Sequence, residues 1–292
     1  MSIHLMRRLH ATAVAIVFLA QFGAAGPAFC GVIDTIRANQ TIRIGYRNDA
    51  PPFSYQKNGE AEPTGYVVNL CRAVTKKLGE QLGLPSLKVS YVAVTAENRF
   101  EAVQKHEVDL LCEPTSATLS RRKLVNFSIP TFIDGATLLT NDLSLEHLKG
   151  VAGHKIGVLR GTTTEDFLRR TLKDQNIQAE IVPVKSHDEG LGMLEDGKTS
   201  VYFGDRSILM FLIKDLSKAP EKLKISEDYL TVEPYALALP RGDEDFRLAV
   251  DTALSHIFRS NEIIAIFDAS FGGRLTRSDL IEALYVISGL PD

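Results

Sequence analysis

Polar and apolar residues alternate with period two in Thr41–Tyr46 (TIRIGY), then recur at helical spacing in Val67–Leu78 (VVNLCRAVTKKL). That switch predicts a strand followed by a helix, with Asp49-Ala50-Pro51-Pro52 as a loop and Gly79 as the helix stop. The switch recurs along the chain. Leu87–Val94 reads as a strand, Asn98–Lys105 as a short helix and Val108–Cys112 as a buried strand. A break near Phe132-Ile133-Asp134-Gly135 precedes a second series: strand 155–158, helix 164–172, strand 179–184, helix 188–195, strand 201–204 and helix 206–214. Pro234-Tyr235 leads into a strand over Ala236–Leu239, and two helices, Glu244–Phe258 and Asn261–Phe271, close the pattern. Alternating strands and helices predict an α/β fold. There are no internal repeats and no long linker.

The first 30 residues stand outside this pattern. Arg7 and Arg8 precede the ten-residue apolar run Ala11–Ala20, and small residues follow at Gly23-Ala24-Ala25-Gly26 and Ala28-Phe29-Cys30. The run is too short to span a bilayer, and the whole reads as a secretory signal peptide, residues 1–30. Cleavage after Gly26 or after Cys30 both fit. Cys30 raises a lipoprotein alternative, against which Phe29 is bulky for the position before a lipidated Cys. No later segment approaches 18 uninterrupted apolar residues, so a soluble, exported and periplasmic mature chain is expected. Loss of two Arg takes the net charge from −3 to about −5, which argues against a nucleic-acid partner. About 260 remaining residues suit two lobes. Export permits a disulfide between Cys71 and Cys112, and two buried thiols are the alternative. Neither the Cys spacing nor nearby His suggests a metal site, and no cofactor motif is present.

Two polar turns carry the candidate chemistry. Pro114-Thr115-Ser116-Ala117-Thr118-Leu119-Ser120-Arg121 follows the strand ending at Cys112, and Arg160-Gly161-Thr162-Thr163-Thr164-Glu165 follows Lys155–Val158. Both place hydroxyls and backbone N–H groups at a strand-to-helix junction, where anions are favoured. Arg121 adds a fork suited to a carboxylate. Two such sites on different α/β units suggest one small anion held between two lobes.

With these units in this order, the chain resembles the periplasmic amino-acid-binding proteins of ABC transporters. The resemblance runs from Thr41 to about Gly273. Its markers are Ile44-Gly45-Tyr46 with Pro52-Phe53-Ser54-Tyr55, Gly65-Tyr66-Val67-Val68-Asn69-Leu70, Asn98-Arg99, Ser116-Ala117-Thr118 with Arg121, Phe127-Ser128-Ile129-Pro130, Gly161-Thr162-Thr163 and Gly204-Asp205. The resemblance implies a type II binding-protein fold: two α/β lobes joined by a two-strand hinge, with crossing strands near Phe132–Thr140 and Thr231–Ala238. Lobe one would comprise residues 31–134 and 235–292, and lobe two 135–234. It further implies a monomer that captures an amino acid between its lobes and delivers it to a membrane ABC permease.

Carried over position by position, the resemblance gives Arg121 to the ligand's α-carboxylate, with Ser116 and Thr163 as hydroxyl partners. Asp205 meets the ammonium, beside the carbonyl of Pro114. Pro114 departs from the Ser or Gly frequent there, and Asn69 from a frequent Asp. Arg47, Arg99 and His187 resemble the positions that glutamate- and aspartate-binding members use around the side-chain carboxylate. Ala50 stands where an aromatic is frequent, leaving room for a long guanidinium. Bland roles compete: helix caps for Thr163, His187 and Asp205, and loop positioning for Arg99. A neutral ligand would leave Arg47 without an anion in a dry cleft, which costs several kcal/mol, so glutamate or aspartate is expected. The alternatives are another polar amino acid or dicarboxylate, a sensing lobe pair without a transporter, and a periplasmic dehydratase with Glu113 as general acid. No enzymatic role is expected.

Overall fold

The computed structural model describes residues 31–57 and 59–291. Residues 1–30, expected to be a signal peptide and including Cys30, lie outside the described residues. Among those described, two five-stranded sheets carry the fold. The first orders β4 (Lys88–Val94), β1 (Thr41–Arg47), β5 (Leu110–Leu111), β12 (Glu233–Leu239) and β6 (Asn126–Asp134). The first three strands are parallel; β12 and β6 run antiparallel to the neighbour each joins. The second sheet orders β11 (Lys224–Ile225), β7 (Ala136–Thr140), β10 (Val201–Asp205), β8 (Lys155–Leu159) and β9 (Glu180–Val184). Its β8, β9 and β10 are parallel and β7 is antiparallel to β10. A short hairpin pairs β2 (Asp49–Ala50) with β3 (Ser54–Tyr55), so the segment read as a loop contributes a strand.

The chain passes between the sheets twice. Only Gly135 separates β6 from β7, and Glu233 of β12 pairs with Asp134 of β6 on the return. These are the two hinge strands of a two-lobed α/β protein. The sequence pattern marked residues 132–135 only as a break. In the structure they continue an extended run from Asn126 to Thr140 that changes sheets.

Helices cover the sheets. α1 (Val32–Asn39), α2 (Tyr66–Leu82), α3 (Arg99–Gln104), α7 (Glu244–Phe258), α8 (Glu262–Phe271) and α9 (Asp279–Ser288) belong with the first sheet's residues. α4 (Thr163–Asp174), α5 (His187–Glu195) and α6 (Arg206–Phe211) follow the strands of the second. Gly79 does not stop α2, which runs on to Leu82 and ends at Gly83 in the left-handed region. Gly79 is instead required by packing: a Cβ there would sit 2.8 Å from the Leu84 carbonyl oxygen. α9 has no counterpart in the sequence pattern. No described helix is long and apolar enough to cross a membrane.

A cluster of buried rings locks the first lobe to the hinge. Phe53 meets Phe132 and Tyr235 edge-on at 4.9 and 5.3 Å, and Phe271 stacks on Phe132 at 5.7 Å. Tyr66 donates to the Thr131 carbonyl at 2.9 Å and meets the Tyr285 hydroxyl at 2.9 Å. Residues from the N-terminal hairpin, both hinge strands and the C-terminal helices thus share one core, where ring pairs add to burial. Cys71 of α2 and Cys112, just past β5, form a disulfide with Cα atoms 6.3 Å apart. This resolves the pairing that the sequence left open.

Candidate ligand-binding cleft

Arg47, Arg99, Pro114, Ser116, Arg121, Thr163, His187 and Asp205 line one small cavity between the two lobes, of about 20 Å³. Thr162, Thr164 and Ile208 complete the lining. Arg47 ends β1, Pro114 and Ser116 follow β5, and Thr163, His187 and Asp205 each stand where a strand of the second sheet gives way to a helix. The cavity therefore lies at the carboxyl ends of strands from both sheets, the general location of sites in open α/β folds.

Local capping explains why those three side chains are free to face it. The N-cap of α4 is Thr162, whose Oγ1 accepts from Glu165 N at 3.2 Å. The N-cap of α5 is Ser186, accepting from Glu189 N at 3.1 Å. Asp205 occupies the N-cap position of α6 but caps nothing. Asp134, from the hinge, takes Ser207 N at 3.3 Å instead. The cap readings of Thr163, His187 and Asp205 are thus replaced by neighbours. The junction after β5 differs from expectation as well: Arg121 opens a 3-10 turn, Arg121–Lys123, rather than an α-helix. α4, with twelve residues, brings the longest helix N-terminus to the cavity, and α5, with nine, brings a second.

The three arginines have unlike surroundings. Arg121 is buried and donates to the Ser116 carbonyl at 3.0 Å, with its guanidinium 5.2 Å from the Phe100 ring. It forms no ion pair with any described carboxylate. Burial lowers its pKa. Arg99 donates to the Ala96 carbonyl and, across the cleft, to the Gly161 carbonyl at 3.2 Å. Burial brings its pKa down to about 10, so it stays charged at neutral pH. The loop-positioning role and the cleft-lining position coexist in this one residue.

Arg47 corrects the charge argument made from sequence. Its guanidinium donates twice to Asp49 Oδ1, at 2.9 and 2.7 Å, and lies 3.8 Å from Glu113 Oε2. Arg47 is already matched by two resident carboxylates, so a neutral ligand does not strand it. Asp49 also accepts from His187 N across the cleft at 3.3 Å. Burial, with Arg47 beside it, works against the cationic role expected of His187 and brings its pKa down to about 3. Its Nδ1 meets the Tyr202 hydroxyl at 2.8 Å. Glu113 does not line the cavity. Both its oxygens are buried and hydrogen-bond no described residue, and Oε1 lies 3.3 Å from Arg99 Nε.

Opposite these cations stands an acidic corner. Tyr235 donates to Asp205 Oδ2 at 2.7 Å, while Oδ1 is buried and has no described partner. Burial, with Glu233 and Asp134 nearby, holds the Asp205 carboxyl well above the usual range. Thr163 Oγ1 donates to Glu233 Oε2 at 2.9 Å and lies 3.4 Å from Ser116 Oγ of the other lobe. Asp49, Glu113 and Glu233 were missed as partners in the cleft. Their types were visible, but their pairings join residues far apart in sequence. A wider groove of about 540 Å³ also runs between the lobes, lined by Asp49, the partner of Arg47. Its Arg274 is held by Asp215 at 3.0 Å.

Comparison with known proteins agrees with this architecture. The family model of bacterial extracellular solute-binding proteins, family 3, matches residues 42–273. The L-glutamate/L-aspartate-binding protein of Pseudomonas aeruginosa is 30% identical over 242 residues, covering 82% of this chain and 80% of that protein. The L-cystine-binding protein of Escherichia coli is 24% identical over 280 residues, covering 94% and 98%. An ancestral arginine-binding protein solved with arginine superposes with a TM-score of 0.72 at 24% identity, covering 80% of this chain and 99% of that one, a likeness of fold. The two-sheet architecture, the cleft between the lobes and the match over most of the chain lead to one conclusion: this chain belongs to family 3 of the bacterial extracellular solute-binding proteins.

Proposed function

We propose that the protein captures an acidic L-amino acid, glutamate or aspartate, between its lobes and delivers it to an ABC permease, working in the periplasm as a monomer without chemical turnover. The observation that carries this reading is the pairing of opposite vacant charges in one cavity. Arg121 has no described carboxylate partner, and Asp205 Oδ1 has no described donor. A zwitterion supplies both, its carboxylate to Arg121 with Thr163 at the start of α4, and its ammonium to Asp205. Burying those charges is tolerable only when each is paired. Arg47 and Arg99 would then face the side-chain carboxylate, and the likeness to a glutamate/aspartate-binding protein supports that choice.

A second reading has an observation of its own. Because Asp49 and Glu113 already neutralise Arg47, a neutral polar amino acid fits the same cavity without stranding a charge. The dehydratase alternative gains nothing from Glu113, whose carboxyl is buried against two guanidiniums away from the cavity lining.

The cavity has room for about one water, so ligand entry requires the lobes to part. Thermal unfolding of ligand-stripped protein against the amino acids tests the reading. At 100 times Kd, a bound amino acid stabilises by about 2.7 kcal/mol, a shift of a few degrees at this size. A shift with glutamate or aspartate is expected. No shift with either, beside a clear one with glutamine, lysine or leucine, rejects the acidic assignment.

A further inference from the structure

We propose that Glu113 sets how the cleft treats an acidic side chain: it is a resident counter-anion for Arg47 and Arg99, and a ligand carboxylate joins that pair only together with a proton. This rests on the reading above, with the ligand's carboxylate on Arg121 and its ammonium on Asp205.

Arg47 and Arg99 line the cavity and Glu113 does not, yet Glu113 touches both, at 3.8 and 3.3 Å. Its oxygens receive no hydrogen bond from any described residue. The two guanidiniums are what compensate its charge. The other charged groups facing it are Arg121 and Asp49. Asp49 already occupies a second edge of Arg47 at 2.7 Å.

With Glu113 and Asp49 ionised, the charges of Arg47 and Arg99 are balanced, and an amide side chain leaves that balance intact. A carboxylate side chain would set three anions against two cations in a dry site, where closely spaced like charges do not all ionise. Burial already raises the Glu113 carboxyl above its ordinary range. Asp49 is different: although burial opposes it, Arg47 and the His187 N–H hold its carboxyl below the ordinary range. The proton therefore comes from solvent to Glu113. Asp205 also exchanges a proton when an ammonium docks, but equally for glutamate and glutamine. The difference between these two ligands isolates Glu113.

The test is calorimetric titration of the full mature chain with L-glutamate and with L-glutamine at pH 7, in buffers of different ionisation enthalpy. Glutamate is expected to take up about one proton more than glutamine. Glu113→Gln, close to isosteric and uncharged, should erase that difference and shift the glutamate-to-glutamine affinity ratio about tenfold or more toward glutamate. Melting curves establish that the variant is folded, and if it is not, the proton counts of the unaltered protein decide. Equal counts for the two ligands, or an unchanged ratio in folded Glu113→Gln, overturn this proposal while leaving amino-acid capture intact. If neither ligand binds the unaltered protein, the glutamate reading falls and this inference falls with it.

Discussion

Arg121 and Asp205 line the same cavity yet differ in what their loss should do. Arg121→Ala leaves every amino acid's carboxylate without its fork, and binding of all ligands should be lost in calorimetry. Asp205→Asn keeps the shape and the Tyr235 contact but removes the charge that meets the ammonium. Truncating one side of a buried charged pair costs about 2–5 kcal/mol, so Kd should rise by at least tenfold for every amino acid. An unchanged Kd would remove Asp205 from the site. His187 carries a pH signature instead. Its pKa is depressed to about 3 in the fold against 6.5 in the unfolded chain. Between those values the unfolded chain binds the extra proton, so stability is fully present above pH 6.5 and declines as pH falls toward 3. That group alone accounts for on the order of 5 kcal/mol across the window. His187→Gln should flatten that part of the melting-temperature curve, and a curve parallel to that of the unaltered protein would show that His187 is not the group.

At the scale of elements, the starts of α4, α5 and α6 show what a sequence can and cannot disclose. The periodicity located all three helices within a few residues. Which residue caps each one was not legible, because Thr162 and Ser186 are as good caps as their neighbours and Asp134 reaches α6 from the hinge. The hinge strands were less legible still. Residues 126–140 run through two sheets, so their burial follows no single alternation. The resemblance, not the pattern, placed them. The candidate cleft residues were legible by type and motif, whereas Asp49 was not and Glu113 entered only as a general acid, since an ion pair advertises only its charges in sequence. The disulfide acts at this scale too. It ties α2 to the residue after β5 across 41 positions, and closing such a loop is worth on the order of 4 kcal/mol. Cys71→Ser should lower the denaturant midpoint accordingly and steepen the slope, because the freed denatured chain exposes more surface. No difference between that variant and the oxidised protein would show that the bridge contributes nothing to stability.

For the whole molecule, contacts between the lobes include Arg99 to Gly161, Ser116 to Thr163, Asp49 to His187, Arg274 to Asp215 at 3.0 Å and Glu97 to Arg160 at 3.8 Å. Gly161 brings backbone close to backbone across the cleft. Its φ is +72°, and an added Cβ would lie 3.1 Å from the Ala96 carbonyl oxygen. Gly161→Val should therefore act as a wedge. Small-angle scattering at saturating glutamate should show the radius of gyration falling for the unaltered protein and falling less for the variant. An unchanged profile despite calorimetrically measured binding would reject closure. The interleaving of the sheets has a further consequence, for the order of assembly. The second sheet is drawn from one uninterrupted stretch, residues 136–225, whereas β5 of the first must wait for β12, more than a hundred residues later in the chain. Such distant pairing is slow to find. A nascent chain can thus complete its middle before its beginning, and during that delay the Cys71–Cys112 bridge lies wholly within the waiting portion, able to keep α2 and β5 together until the last strand arrives.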